Sequence, residues 1–212
     1  MVSNSNAWRS NLKYEFIKRC FDLISSLIAV ICLMPLYIIL AVMVKADSKG
    51  SVIFTHERLG KYGKKIKVYK YRTMVPNAEH ILSHMPLEIK NKFQENFKIE
   101  NDPRITRLGR FLREYSLDEL PQLINIIKGE MSIVGPRPII EKELEKYGNF
   151  GEKLLSVNPG LTGYWQVNGR SDTSYEERVK LDMYYIEKRN LYMDILIILK
   201  TIKVVCRKVG AK

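Results

Sequence analysis

Between Leu23 and Val44 the chain carries no charged side chain and reads LISSLIAVICLMPLYIILAVMV. That is near the ~20 apolar residues needed to cross a bilayer. The run is too long for a secretion signal and lacks a small-residue cleavage site. Pro35 argues for a break, because its ring removes one N–H and crowds the carbonyl of Ile31. Basic residues flank both ends, Arg9, Lys13, Lys18 and Arg19 before it and Lys45 and Lys49 after it. That pattern asks for both flanks on the cytoplasmic side. A helix that enters, breaks at Pro35 and returns satisfies both signs, since halves of about 10 residues, roughly 15 Å, are too short to cross. Ser25 and Ser26 could satisfy some polar groups inside the membrane. The expectation is a re-entrant helix-break-helix over residues 1–48, with a single span as the alternative, and a cytosolic domain over 49–212.

Downstream the periodicity changes. Val52-Ile53-Phe54 and the run Lys65–Tyr71 have strand character, with Gly60 and Gly63 at the connection, so 51–75 reads as a β-hairpin or small sheet. Helical spacing returns from Asn77 to Phe97 and divides at Pro86. Leu117, Leu120, Leu123, Ile124 and Ile127 follow the i, i+3, i+4 rule of an amphipathic helix. Asn158 to Asp172 is rich in turn signals and reads as loop. A last helix, about Leu191 to Val209, sets Ile195, Ile198, Leu199, Ile202 and Val205 on one face. Lys200, Lys203, Arg207 and Lys208 lie elsewhere around it. Such a helix either lies on an anionic membrane surface or packs on the core with a solvated basic face. The predicted class is α/β, mostly α with a small β-hairpin, in a monotopic membrane protein.

The 212 residues carry a net charge of +12, from 35 Lys+Arg against 23 Asp+Glu. A surplus of this size implies an anionic partner, whether nucleic acid, lipid headgroups or a phosphorylated substrate. No nucleic-acid motif is present, so a nucleic-acid partner is not expected. Cys20, Cys32 and Cys206 lack metal-ligand spacing and read as buried free thiols. His56, His80 and His84 are too scattered to define a site.

The chemistry concentrates in DPRITRLGRFLREYSLDELPQLINIIKGEMSIVGPRP, residues 102–138. Asp118 and Glu119 sit side by side at a helix start. Ser116 with Glu119 fits a capping box, and a start at Leu117 fits equally while freeing Pro121. Either start places both charges at the positive end of a helix dipole, which favours ionised carboxylates by ~0.3–1 kcal/mol. An ionised carboxylate can attack phosphorus or help hold a hard divalent cation. Adjacent carboxylates do not suit glycosidase chemistry, whose pair must flank the sugar bond from ~5 Å or more apart. Arg104, Arg107, Arg110 and Arg113 recur every third residue. The first three read as a solvent- or headgroup-facing stripe, and Arg113 as a site residue. Arg137 is fixed between two prolines and Arg170 follows a turn, so both are candidates for bidentate phosphate binding.

These motifs, with Lys70-Tyr71-Arg72-Thr73-Met74, Gly129-Glu130-Met131-Ser132, Pro159-Gly160-Leu161-Thr162-Gly163 and Asn168-Gly169-Arg170, resemble the bacterial sugar transferases, the monotopic phosphoglycosyl transferases. The resemblance runs over nearly the whole chain. It implies an enzyme on the cytoplasmic face of the bacterial inner membrane. There a sugar 1-phosphate would pass from a UDP-sugar to undecaprenyl phosphate, releasing UMP and starting glycan assembly. It implies Asp118 as the nucleophile that forms a covalent phosphosugar intermediate, and Glu119, beside Asp118, as a ligand of Mg2+. Arg113, Arg137 and Arg170 would contact phosphates, with Lys70 and Arg72 in a basic strand motif nearby. Longer relatives carry extra N-terminal transmembrane helices, so this chain looks like a minimal catalytic version. A non-catalytic basic scaffold on the membrane is the competing reading. Neither donor sugar nor oligomeric state is encoded in these motifs.

Overall fold

A computed structural model describes residues 12–96, 99, 101–169 and 173–206. In chain order the elements are α1 (Leu12–Cys32), α2 (Met34–Asp47), β1 (Ile53–Leu59), β2 (Lys65–Tyr71), α3 (Ala78–Ser83), α4 (Leu87–Asn96), α5 (Arg107–Glu114), α6 (Gln122–Lys128), β3 (Ser132–Val134), α7 (Glu141–Leu144), α8 (Gly151–Leu155), β4 (Gly160–Thr162), α9 (Tyr164–Asn168), α10 (Tyr175–Lys188) and α11 (Leu191–Cys206). The chain is mostly helical. Among the described residues the two small sheets are the antiparallel hairpin β1–β2 and the parallel pair β3–β4.

Among the described residues no single helix is long and apolar enough to cross a membrane, but α1 and α2 together are, bent by 65° at their junction. The break falls at Leu33, and Pro35 sits in the first turn of α2, where its missing N–H is harmless. The first arm is longer than the 10 residues expected. It begins at Leu12 and takes Lys13, Lys18 and Arg19 into the helix instead of leaving them as a flank. Those charges are tolerated where they face the rest of the protein. Lys18 pairs with Asp194 at 2.9 Å. Arg19 donates to the carbonyls of Ile126 and Ile127, capping the end of α6. Asp22 accepts from Ser132 Oγ and from the Ile133 N–H. Tyr37 on the second arm donates to the Leu120 carbonyl at 2.6 Å. Ser26 is buried and its hydroxyl has no hydrogen-bond partner, so it does not play the satisfying role expected of it. The outer face of the bend carries exposed Phe16, Ile24, Ile31, Ile38 and Val42.

Among the described residues the core forms three clusters. Leu40 and Val44 of α2 pack with Tyr71 and Leu112, joining the bent arm to β2 and α5. Ile66 and Val68 pack with Leu123, Ile126 and Met131. The largest gathers Val134, Ile139, Tyr147, Met183, Ile186 and Ile197 around α10. Leu112 is wholly buried, so its truncation to alanine would cost about 2–5 kcal/mol.

The hairpin and the helix break at Pro86 match the sequence reading. The segment read as loop from Asn158 does not. It holds β4 and α9, because Gly160 pairs with Ser132 and Thr162 with Val134. Three residues are too short a strand for periodicity to register. In α11, Ile195, Leu199 and Ile202 are exposed while Asp194 and Ile197 are buried, so the predicted apolar face points outward. Cys20 is half-buried and Cys32 is exposed, both free thiols, against the expectation of buried ones.

Candidate active site

Ser116 adopts φ 54°, ψ 22°, a left-handed conformation that costs a non-glycine residue about 1–2 kcal/mol. Leu117–Glu119 then makes one 3-10 turn, and α6 starts at Gln122 with Pro121 as its N-cap. The expected capping box of Ser116 with Glu119 is absent, and the Ser116 side chain makes no cap bond. A capping residue has extended backbone, which a left-handed one cannot supply. The two carboxylates therefore precede the α-helix instead of opening it.

The pair is electrically split. Lys70 Nζ donates to Glu119 Oε1 at 2.6 Å. Burial would raise the Glu119 carboxyl, but Lys70, Arg137 and a hydrogen bond from Gln122 hold it below its usual value. Asp118 is buried, and burial together with the adjacent Glu119 charge pushes it up to about 6, against the pull of Lys70 and Arg113. The helix-dipole argument from sequence is thus outweighed at Asp118 by desolvation. One carboxylate is firmly anionic; its neighbour is the more basic of the two.

Two cations are set in place by glycines. At Gly109 in α5 a Cβ would lie 2.1 Å from the Thr73 carbonyl oxygen. Only glycine lets this helix rest on the strand end, with the Thr106 N–H bonded to the same oxygen. Arg113, one turn on, donates from Nε to Thr73 Oγ1 at 2.9 Å and lies in electrostatic range of Asp118 and Glu119. A Cβ on Gly160 would sit 2.1 Å from the Gly135 nitrogen, so β3 and β4 touch backbone to backbone. That contact fixes the start of the Gly135-Pro136-Arg137-Pro138 loop, and Arg137 stands exposed at its tip.

The structure thus gathers Lys70, Arg113 and Arg137 around Asp118 and Glu119. Arg170 lies outside the described residues. Arg72 is not brought in. Its guanidinium donates to the Val44, Ser48 and Ser51 carbonyls and to Ser48 Oγ, closing the C-terminal end of α2. One position past the strand, it is turned towards the orphan carbonyls that every helix end presents. Arg104 also departs from its expected surface stripe. It is buried, paired through Nε and Nη2 with Asp102 and stacked 5.2 Å above Phe93. Arg107 and Arg110 are exposed as expected.

Sequence reasoning missed Thr73, Gln122 and, on β1, His56 and Arg58. Arg58 is paired with Glu143 at 3.2 Å and lies in electrostatic range of Arg137 and Glu119. A signal was there: β1 and β2 alternate, and Arg58 and His56 stand opposite buried Ile66 and Val68. A cation half-buried at a position opposite Ile66, as Arg58 is, marks a site.

Residues 13–208 match the family model described as bacterial sugar transferase. The chain belongs to that family. The sugar transferase is 47% identical to the UDP-galactose-lipid carrier transferase of Erwinia amylovora over 99% of this chain and 44% of that protein. It is 44% identical to the exopolysaccharide production protein ExoY of Sinorhizobium fredii, over 92% of this chain and 87% of the relative. It is 38% identical to the UDP-glucose:undecaprenyl-phosphate glucose-1-phosphate transferase of Escherichia coli, over 89% and 40%. The chain therefore spans less than half of two of these curated relatives and 87% of the third. All of the site residues named above fall inside the matched region.

Proposed function

We propose that this sugar transferase moves a sugar 1-phosphate from a UDP-sugar to undecaprenyl phosphate, with Asp118 as the nucleophile. The observation that carries the reading is the split pair: a buried, basic Asp118 carboxylate beside a Glu119 already neutralised by Lys70. An Asp118 oxygen attacks the phosphorus that bears the sugar, the bond to the UMP oxygen breaks, and UMP leaves. The acyl phosphate formed is then attacked by an oxygen of the lipid phosphate, which returns Asp118 as a carboxylate and yields the lipid-linked diphosphosugar. A raised carboxyl pKa makes the oxygen the better nucleophile while leaving most of it ionised at neutral pH. Arg113 and Arg137 meet the charge that builds on the phosphoryl oxygens.

Mg2+ fits the acidic pair. Among the described residues no cluster of three or more His, Cys, Asp or Glu surrounds a common point. Mg2+ is commonly held by one or two carboxylates, with substrate phosphates and waters completing its shell. Glu119 and Asp118 would hold it, and the ion would neutralise the donor diphosphate. The bent α1–α2 pair would enter and leave the cytoplasmic leaflet, and the exposed stripe of α11 would lie along the same surface. That keeps Asp118 near the height of a lipid phosphate.

The test is UMP release from a panel of UDP-sugars with polyprenyl phosphate present. Asp118→Asn is expected to abolish it, and incubation with donor alone should leave a phosphosugar mass on the Asp118 peptide. Turnover that survives neutral substitution of both carboxylates would leave the membrane-scaffold reading in its place.

A further inference from the structure

The hairpin brings a second guanidinium to the edge of the site beside Arg137. Arg58 stands near the end of β1, opposite Ile66, on the strand face that continues to Lys70. Its neighbour Leu59 donates its N–H to the Ile139 carbonyl at 2.8 Å, two residues beyond Arg137. Leu59, Gly60, Pro136 and Arg137 line one small cavity. The backbone thus holds β1 against the loop that carries Arg137.

The Arg58 side chain is held, not free. Nη1 donates to Glu143 Oε2 at 3.2 Å, and that oxygen also accepts the Ile140 N–H at 2.9 Å. Nη2 lies 3.2 Å from His56 Nδ1. A guanidinium offers five N–H donors, so these contacts leave donors for another acceptor. The local charge is unbalanced as well. Arg58 is partly desolvated and faces the like charge of Arg137, and Glu143 is its direct carboxylate partner. Glu119, the next anion, is engaged by Lys70. Two guanidiniums in electrostatic range of each other are stabilised by an anion that spans them, and a diphosphate brings one negative charge on each phosphate.

We propose that Arg58 and Arg137 together clamp the diphosphate of the nucleotide-sugar donor, and that Glu143 is the positioning residue that aims Arg58. The assignment rests on the sugar-phosphate transfer reading above, and it adds a binding residue from the hairpin.

The experiment measures UDP binding by titration calorimetry on the full chain in detergent, with donor KM and kcat alongside. Arg58→Met is expected to raise the UDP Kd and donor KM roughly 10- to 100-fold, the range for losing one or two charge-assisted hydrogen bonds. Arg58→Lys should fall between it and wild type, and Glu143→Gln should raise KM several-fold with little change in kcat. The decisive variant is the swap Arg58→Glu with Glu143→Arg. A purely structural bridge would be restored by the swap, whereas the clamp stays broken and UDP binding remains as weak as in Arg58→Met. Recovery in the swap, or wild-type UDP affinity in Arg58→Met and Arg58→Lys, overturns the proposal. A protein that binds UDP through Arg58 yet releases no UMP from any UDP-sugar removes the transfer reading and leaves the clamp. Turnover with a donor KM indifferent to Arg58 does the reverse.

Discussion

Replacing Lys70 by methionine removes the ammonium from the acidic pair while keeping a stem of similar length. The Nζ–Oε1 distance of 2.6 Å to Glu119 gives a Coulomb ceiling of about 6 kcal/mol at an effective dielectric of 20. Both side chains are more than a quarter exposed, 29% and 27%, so the effect lies at the low end of the 1–3 units usual for a neighbouring opposite charge. About one unit, near 1.4 kcal/mol, is expected. Lys70 favours the ionised form of both carboxylates, so its removal moves the acid limb of kcat/KM upward. A wild-type limb near 6 would then fall near ~7. At pH 6 the ionised fraction drops from about a half to about a tenth, while at pH 9 both proteins are fully ionised. If the Lys70 ammonium also binds a donor phosphate, that loss lowers the whole profile equally and adds nothing to the shift of the limb. The assay is UMP release from pH 5 to 9 at subsaturating donor. A limb that does not move in Lys70→Met refutes the view that Lys70 sets the ionisation of the pair.

Other consequences are as direct. Asp182 is fully buried, hydrogen-bonded by Tyr147, and pushed up to about 7 by burial, with one carboxylate oxygen lacking a partner. A raised acid pKa favours the folded state at low pH, and that advantage is lost as pH climbs from about 4 to about 7. Asp182→Asn should flatten this dependence and gain on the order of 2–4 kcal/mol relative to wild type at pH 8, read from thermal melts across pH. Arg72→Ala should lower the melting temperature through a loss of about 2 kcal/mol at the end of α2, with donor KM unchanged. A raised KM would return Arg72 to the site.

Much of the site was legible because it is written in short, rigid motifs. Arg113, Arg137 and Lys70 are gathered around the Asp118-Glu119 pair, and Pro35 marks the bend to within two residues of Leu33. What periodicity missed was decided by long-range contact. The left-handed Ser116 and the 3-10 turn break the apolar spacing of Leu117 and Leu120 without changing it in sequence. Lys18 and Arg19 read as a basic flank because their partners, Asp194 and Ile126, are more than 100 residues away. Arg104 and Arg72 looked like members of basic clusters until Asp102 and the end of α2 claimed them. A run of arginines records charge but not which of them a carboxylate or carbonyl will take.

Tyr37 and Arg19 reach from the two arms of the bent pair to opposite ends of the segment that follows Asp118, at Leu120 and at Ile126–Ile127. The bend is therefore tied by hydrogen bonds to both ends of the segment that follows the proposed nucleophile. A fragment cut after Ser48 for convenience would bare Tyr71 and Leu112 and slacken the turn it was meant to isolate. Solubilising conditions that splay the arms should depress turnover before they unfold the protein, and transfer into nanodiscs should restore it.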